Sequence, residues 1–170
     1  SAQNAYLMTN ALQGVIEHGT GRKARVLKRH DLSGKTGTTN DKIDAWFSGY
    51  NSHIVATVWV GFDNLKSLHE YGAQAALPIW INFMRNALNN TPEASLAQPP
   101  GIITAKIDPN NGLLASPSQS NAIFEVCRQQ HEPTKVSTEV ASAPYSPPAA
   151  TSSTTTPAKP ASSGGEEELF

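Results

Sequence analysis

The sequence has little of several features that would by themselves define a class of protein. It contains a single cysteine, Cys127, so no disulfide can form within the chain, and a small buried thiol is expected. It has no apolar run of about 18 residues or more, and its first residues lack the charged start and apolar core of a secretory signal. We expect any membrane anchor to lie outside this sequence.

The chain also lacks a strong charge of either sign. The net charge of -1 argues against a general nucleic-acid binder, although six of the 13 Lys and Arg residues lie between Arg22 and Lys35. Most of these cations, taken singly, are expected to belong to a solvated turn. No two histidines have the spacing of a metal site, and His53, His69, Asp44 and Asp63 are expected at strand ends or on the surface. No metal or cofactor is predicted.

Composition divides the chain into three parts. Of the 29 residues at 137–165, 25 are Pro, Ala, Ser, Thr or Gly, and such a stretch cannot bury enough apolar surface to offset its conformational entropy. We therefore predict a folded unit at 1–90, a small appended segment with a β-hairpin at 91–135 and a disordered tail at 136–170. Within the appended segment, an alternating stretch at 102–108 precedes a turn, and 122–128 is a further short strand or helical turn.

Periodicity predicts the elements of the first part. Apolar residues at three- and four-residue spacing indicate helices over 4–18 and 74–89, and strands are predicted over 33–39, 44–50 and 54–62. Asn51-Ser52 predicts a hairpin-like turn between the last two strands. The third strand is apolar on both faces, which favours a sheet covered twice, with helices as the cover.

Three positions in the helices carry specific expectations. Gly14 predicts close packing against a neighbour, since glycine costs a helix about 1 kcal/mol relative to alanine. Pro78 is compatible with the second helix only in its first turn. Trp80 and Phe83 are expected to pack in the core, because aromatic residues at helical spacing usually do.

The stretch richest in chemistry is 32–41, which combines a cation, hydroxyls and glycines. Gly34-Lys35-Thr36 could end a phosphate-binding loop, but the glycine which that loop needs five residues earlier is Arg29. A phosphate loop also opens a helix, whereas this stretch leads into a predicted strand. The remaining interpretation is a strand that carries Lys-Thr-Gly.

Lys-Thr-Gly is one of three signatures of the active-site serine penicillin-recognising enzymes. Its surroundings here, which are Lys35–Asp41, Asp44–Tyr50, Val58–Asp63 and Leu77–Trp80, resemble the end of the transpeptidase domain of class A penicillin-binding proteins, closest to the Gram-negative 1A type. The match extends more loosely to about Thr134. The resemblance implies an α/β (α+β) fold: the C-terminal half of a penicillin-binding protein or serine β-lactamase-like domain, with an antiparallel sheet flanked by helices.

The resemblance also implies roles for five residues of this strand. Lys35 corresponds to the lysine that draws the carboxylate of a D-Ala-D-Ala stem peptide or a β-lactam and supports proton transfer. Thr36 and Thr38 correspond to hydroxyl donors to that carboxylate, and the Thr38 N–H to an oxyanion-hole donor. Gly37 lets substrate backbone approach, and Thr39 completes the set by closing the strand. Lys35 and Thr38 are thus the expected catalytic residues, and all five bind substrate.

The two other signatures of these enzymes are missing from the sequence. No lysine has a serine three residues before it, and no asparagine has a serine two residues before it, so S-x-x-K and S-x-N are both absent. We expect the nucleophile on polypeptide upstream of Ser1, in the rest of the same domain, and expect the chain alone to be inactive. The resemblance further implies a bifunctional parent with a glycosyltransferase domain, held in the inner membrane by one helix and working in the periplasm. A lipoprotein activator is a further expected partner.

Two alternatives stay open. By itself, Lys35 could be an ordinary edge-strand lysine that discourages aggregation. The chain could also be a non-catalytic binding or scaffold module, in which the Lys-Thr-Gly strand holds a peptidoglycan carboxylate and the Pro/Thr-rich tail is a tether. A serine β-lactamase shares Lys-Thr-Gly and the helix–sheet–helix layout, but it would usually end with the second helix, whereas this sequence continues beyond Thr91.

Overall fold

A computed structural model describes residues 1–138 of the chain. The helices are α1 (Ala2–Glu17) and α2 (Gly72–Ala87), and the strands are β1 (Ser33–Thr38), β2 (Asp44–Tyr50), β3 (Val55–Gly61), β4 (Ile102–Ile107) and β5 (Ile123–Arg128). Short 3-10 helices lie between α1 and β1, between β1 and β2, and after β5. The predicted disordered tail lies outside the described residues from Glu139 onward. Within the described part, neither helix has the length and apolar character needed to cross a bilayer.

Helix α1 begins at a serine cap and ends at a pair of glycines. The Ser1 hydroxyl accepts a hydrogen bond from the Asn4 N–H, and the N–H groups of Gly19 and Gly21 both donate to the carbonyl of Val15. The expectation for Gly14 is wrong, because a Cβ built there meets nothing within 4 Å. Within residues 1–138, Gly14 therefore has a helix-propensity cost without a packing reason.

The first three strands form an antiparallel sheet in the order β1-β2-β3. The turn between β2 and β3 is fixed by Asn51, whose N–H donates to the Ile54 carbonyl and whose side-chain oxygen accepts from the N–H groups of His53 and Ile54. Such a side-chain-closed turn is typical of asparagine. It confirms the turn that the sequence predicts between these two strands.

One face of this sheet packs against α2. Phe47 lies edge-on to Trp80 with ring centroids 4.9 Å apart, and the Trp80 indole N–H donates to the Ala56 carbonyl. Ile16 of α1 and Leu32 belong to the same hydrophobic cluster. An antiparallel sheet with helices packed on it is a mixed α/β arrangement, so the predicted fold class is confirmed.

The opposite face of the sheet is open. Trp46 and Trp59 pair across β2 and β3 with ring centroids 6.1 Å apart, and they are 40% and 45% exposed. Ser48 and Thr57 continue the same face as an exposed hydroxyl pair 2.9 Å apart. The two-sided cover that the sequence predicts is therefore not supplied by residues 1–138.

Two expectations for α2 are wrong. Pro78 lies in the second turn of α2 rather than the first, where it leaves the Gln74 carbonyl without its usual helical donor. Phe83 is 47% exposed, whereas Trp80 is fully buried as expected. The buried stripe of α2 thus includes Trp80 but not Phe83.

The appended segment contains the second sheet, in which β4 and β5 pair antiparallel as the predicted hairpin requires. The turn after β4 is organised by the buried Asp108, whose carboxylate accepts from the Asn110 N–H and the Ser137 hydroxyl. These hydrogen bonds, that from Ser137 foremost, lower the pKa of Asp108. Val136 and Ser137, which the composition assigns to the tail, pair with Leu114 of the appended segment. Cys127 in β5 is half-buried rather than fully buried, and burial raises the pKa of its thiol.

Candidate functional site

The Lys-Thr-Gly sequence lies on β1, at a free edge of the three-stranded sheet as far as residues 1–138 show. The Thr39 N–H donates to the Asp44 carbonyl, which marks this pair as hydrogen-bonded in the ladder. Hydrogen-bonded and non-hydrogen-bonded pairs alternate along antiparallel strands. The backbone N–H and C=O groups of Thr36 and Thr38 therefore point away from β2, toward the open edge.

Lys35 is exposed and its ammonium lies at that edge. Its Nζ donates to the Thr36 carbonyl at 3.0 Å and to the Thr36 hydroxyl at 3.3 Å. No described carboxylate lies within ion-pair distance of it. The charge is therefore held close to the strand and is available to an anion from outside.

The Thr36 hydroxyl has a second partner that the sequence does not indicate. Its Oγ1 lies 2.8 Å from Oγ1 of Thr20, in the connection that follows α1. Thr36 and Lys35 are thus brought together at one point of the edge, with Thr20 behind them.

Gly37 is tightly packed on two sides. Its partner across the ladder is Trp46, and a Cβ at Gly37 would lie 3.1 Å from the Cβ of that residue. The N-terminus of α2 also lies on this backbone, since a Cβ at Gly72 would lie 2.5 Å from the Gly37 carbonyl oxygen and 2.4 Å from that of Trp46. The lack of side chains at these two glycines brings helix and strand into direct contact.

Thr38 connects the strand to the first turn of α2. Its hydroxyl accepts a hydrogen bond from the Gly72 N–H at 3.1 Å. Because a hydroxyl has one hydrogen and two lone pairs, this bond leaves the Thr38 hydrogen free to donate. The Thr38 side chain is exposed, so a ligand at the edge can accept a hydrogen bond from its hydroxyl.

Thr39 closes the connection between β1 and β2. Its hydroxyl accepts from the Asp44 N–H at 2.8 Å and donates to the Asp44 carboxylate at 3.3 Å. The other oxygen of that carboxylate accepts from the Trp59 indole N–H at 2.8 Å. This geometry fits the strand-closing role of Thr39, whose hydroxyl hydrogen is used by Asp44.

The structure thus brings Lys35, Thr36 and the outward backbone of Thr38 to one edge. Sequence reasoning did not single out Thr20 or Gly72, because they contact β1 only through tertiary packing 16 and 34 residues away. The only available signal was that Thr20 lies between two glycines, which indicates a turn and no more.

No group of three or more His, Cys, Asp or Glu side chains in the described part could hold a metal ion. Two small clefts lie away from Lys35, between α1 and the segment after α2, with Thr9, Gln13 and Leu96 in the lining of both. The Lys-Thr-Gly edge is open rather than enclosed.

Comparison with known proteins gives consistent results. No protein-family model matches the chain. It is 52% identical over 138 residues to penicillin-binding protein 1A of Pseudomonas aeruginosa, which covers 80% of this chain and 17% of that protein. It is 38% identical over 174 residues to penicillin-binding protein 1A of Vibrio cholerae, which covers 86% of this chain and 21% of that protein.

A solved structure shows the same relationship. The fold is similar to the crystal structure of penicillin-binding protein 1A from Haemophilus influenzae, with a TM-score of 0.73 and 36% sequence identity over 79% of this chain and 21% of that one. The chain therefore spans about a fifth of the length of the relatives it matches. By sequence and by fold, this chain belongs to the penicillin-binding protein 1A family and corresponds to the C-terminal part of its members.

Proposed function

We propose that this chain supplies the Lys-Thr-Gly wall of the active site of a serine-type D,D-transpeptidase, which crosslinks peptidoglycan stem peptides and is acylated by β-lactams. The observation that carries the proposal is the free edge of β1. Lys35 and the outward N–H groups of Thr36 and Thr38 lie together on it, without a described protein strand opposite. An edge of this kind can take an extended peptide as an added strand.

In this role, the Lys-Thr-Gly strand must bind one carboxylate and stabilise one developing oxyanion. The Lys35 ammonium attracts the terminal carboxylate of a D-Ala-D-Ala peptide or the corresponding group of a β-lactam, and also supports proton transfer. The hydroxyls of Thr36 and Thr38 donate to that carboxylate, for which Thr38 has a free hydrogen because its oxygen accepts from Gly72. The Thr38 N–H serves as one of the two oxyanion-hole donors.

The nucleophile must come from elsewhere, because no S-x-x-K and no S-x-N occur in the 170 residues. We assign it to an upstream part of the same domain. Two surfaces suit such a partner: the exposed face with Trp46 and Trp59, and the outer edge of β3, which no other described strand occupies. Open apolar faces and unpaired strand edges both favour association.

The same family membership supports a wider proposal for the whole protein. It would combine the transpeptidase with a glycosyltransferase domain, be anchored in the inner membrane and act in the periplasm, with a lipoprotein activator as a partner. Within this sequence we propose a transpeptidase part at 1–90 and an appended segment at 91–135, which Val136 and Ser137 extend by pairing with Leu114. A Pro/Ser/Thr/Ala-rich tail follows.

A labelled penicillin tests the proposal on the full-length polypeptide that carries this sequence. A stable covalent label after denaturing electrophoresis is expected of a transpeptidase. A label that is formed and rapidly lost would indicate a β-lactamase. If no label forms at any concentration, the chain belongs to a binding module and the enzymatic proposal is wrong.

A further inference from the structure

The contact between Thr20 and Thr36 joins the Lys-Thr-Gly strand to a residue outside it. The two hydroxyl oxygens are 2.8 Å apart, and the pair is partly buried. On its outer side the same Thr36 oxygen receives a hydrogen bond from Lys35 at 3.3 Å. Thr36 therefore lies between an exposed cation and a second hydroxyl.

The backbone around Thr20 is held in place by the end of α1. The N–H groups of Gly19 and Gly21 donate to the same carbonyl, that of Val15, at 3.1 and 3.0 Å. A Cβ at Gly19 would lie 3.0 Å from the backbone of Val15, a tight contact, so this close turn favours glycine there. The backbone on both sides of Thr20 is thus fixed by hydrogen bonds to Val15. This fixed turn places the Thr20 hydroxyl next to that of Thr36.

The direction of the Thr20–Thr36 hydrogen bond decides what Thr36 can offer a ligand. A hydroxyl has one hydrogen and two lone pairs, and an ammonium can only donate. If Thr36 donated to Thr20, its single hydrogen would be used within the protein. If Thr20 donates, the Thr36 oxygen accepts from both Lys35 and Thr20, and its hydrogen is free for an acceptor at the edge.

A carboxylate accepts hydrogen bonds and donates none, so it selects the second arrangement. We propose that Thr20 is a positioning residue, which donates to Thr36 and thereby directs the Thr36 hydrogen to the carboxylate of the stem peptide or the β-lactam. Thr20 itself does not touch the ligand. This inference rests on the carboxylate-binding role proposed above for Lys35 and Thr36.

The test compares two probes that differ only at the carboxylate: benzylpenicillin and its methyl ester. The acylation rate constants for both are measured on the full-length polypeptide, unaltered and as Thr20→Val and Thr20→Ser. Loss of one oriented hydrogen bond is expected to lower the preference for the free acid over the ester by about 2- to 10-fold in Thr20→Val. Thr20→Ser, which keeps the hydroxyl, should retain the preference of the unaltered protein.

A purely structural role for Thr20 would lower both rate constants alike and leave their ratio unchanged, which would overturn the inference. If Thr20→Val does not fold, the ratio of the two acylation rate constants is measured on Thr20→Ala, which removes the hydroxyl and has a smaller side chain. In a Thr36→Val background, Thr20→Val should have no further effect on the ratio, and a full additional loss would also contradict the inference.

Lys35→Met separates this inference from the proposed function. If Lys35→Met lowers the ratio and Thr20→Val does not, only the positioning role is wrong. If neither variant changes either rate constant, the carboxylate-binding role of the strand is wrong as well.

Discussion

Arg29 and Asp31 form a bidentate ion pair just before β1, with Nε of Arg29 2.9 Å from Oδ1 of Asp31 and Nη2 2.7 Å from Oδ2. The Asp31 side chain has no exposed surface, and Asn51 also donates to it at 3.1 Å. Arg29 further donates to the Thr91 carbonyl at 2.7 Å. One ion pair thus joins the start of the Lys-Thr-Gly strand, the β2–β3 turn and the segment after α2.

We predict that Asp31→Asn is strongly destabilising. Removing one partner of a buried ion pair leaves the other charge uncompensated, which typically lowers the unfolding free energy by about 3–5 kcal/mol. Because Arg29 is partly exposed, we expect a loss near the lower figure. Chemical denaturation of the variant measures it. Asp63→Asn, at an exposed position, is the matched control and should change the unfolding free energy by less than about 0.5 kcal/mol. Equal stability of the two variants would contradict this account of the pair.

The same carboxylate predicts how stability changes with pH. Burial acts to raise the pKa of Asp31, but the hydrogen bonds from Arg29, Asn51 and Ala94 outweigh it, and the pKa is lowered. Because the folded pKa lies below the unfolded value of about 3.9, the stabilisation is present above that pH and is lost as pH falls through the folded pKa. Asp108 contributes in the same direction.

Unfolding free energies measured from neutral pH down to about pH 2 should therefore decline mainly below about pH 4. Asp31→Asn, which cannot titrate at this position, should show a shallower acid decline than the unaltered chain. Identical slopes would mean that Asp31 has the same pKa in the folded and unfolded states.

Two glycines are expected to respond to alanine with opposite signs. A Cβ at Gly72 would lie within 2.5 Å of two backbone carbonyl oxygens, which cannot move without displacing β1 and β2, so Gly72→Ala should cost about 1–3 kcal/mol. At Gly14 the space is open, so Gly14→Ala should stabilise α1 by about 0.5–1 kcal/mol. Thermal unfolding of both variants checks this. A destabilised Gly14→Ala or an unaffected Gly72→Ala would show that the packing differs from that described.

The exposed tryptophan face leads to a prediction about assembly. Residues 1–170 alone should not be labelled by a fluorescent penicillin, because they contain no S-x-x-K serine. Mixed with a separately made upstream part of the domain, they should recover some labelling, as the face with Trp46 and Trp59 becomes covered. Labelling of residues 1–170 by themselves would refute the two-part site.

The elements that sequence reasoning predicted correctly are those with a local signal. The β-forming residues over 44–50 and 54–62, with Asn51 in the turn between them, were enough to predict the β2–β3 pair, and the apolar stripes predicted both helices. The open sheet face was not predicted, since a strand that is apolar on both sides indicates cover without showing which polypeptide supplies it. Pro78 was misplaced because local rules treat a helix as isolated, whereas packing of Leu77 and Trp80 stabilises α2 on both sides of the proline.

The site was predictable only along the strand itself. Lys35 to Thr39 followed from a short motif and its neighbours, but the partners that fix their geometry come from other elements. Thr20 and Gly72 carry no local mark of this role. The Arg29–Asp31 pair was hidden in a basic stretch that, taken residue by residue, indicates a solvated turn. The structural role of this pair depends on the hydrogen bond from Arg29 to Thr91, which is 62 residues away.

Lys35 is proposed to bind the carboxylate of the substrate or β-lactam, and a comparison of two lysines tests this role most directly. Acylation by benzylpenicillin is measured on the full-length polypeptide as Lys35→Met and as Lys66→Met, since Lys66 is an exposed lysine in the connection between β3 and α2. A charge-assisted contact of about 1.5–3 kcal/mol corresponds to about a 10- to 150-fold lower rate for Lys35→Met, and Lys66→Met should keep the unaltered rate. Unaltered rates in both variants would contradict the assignment of Lys35.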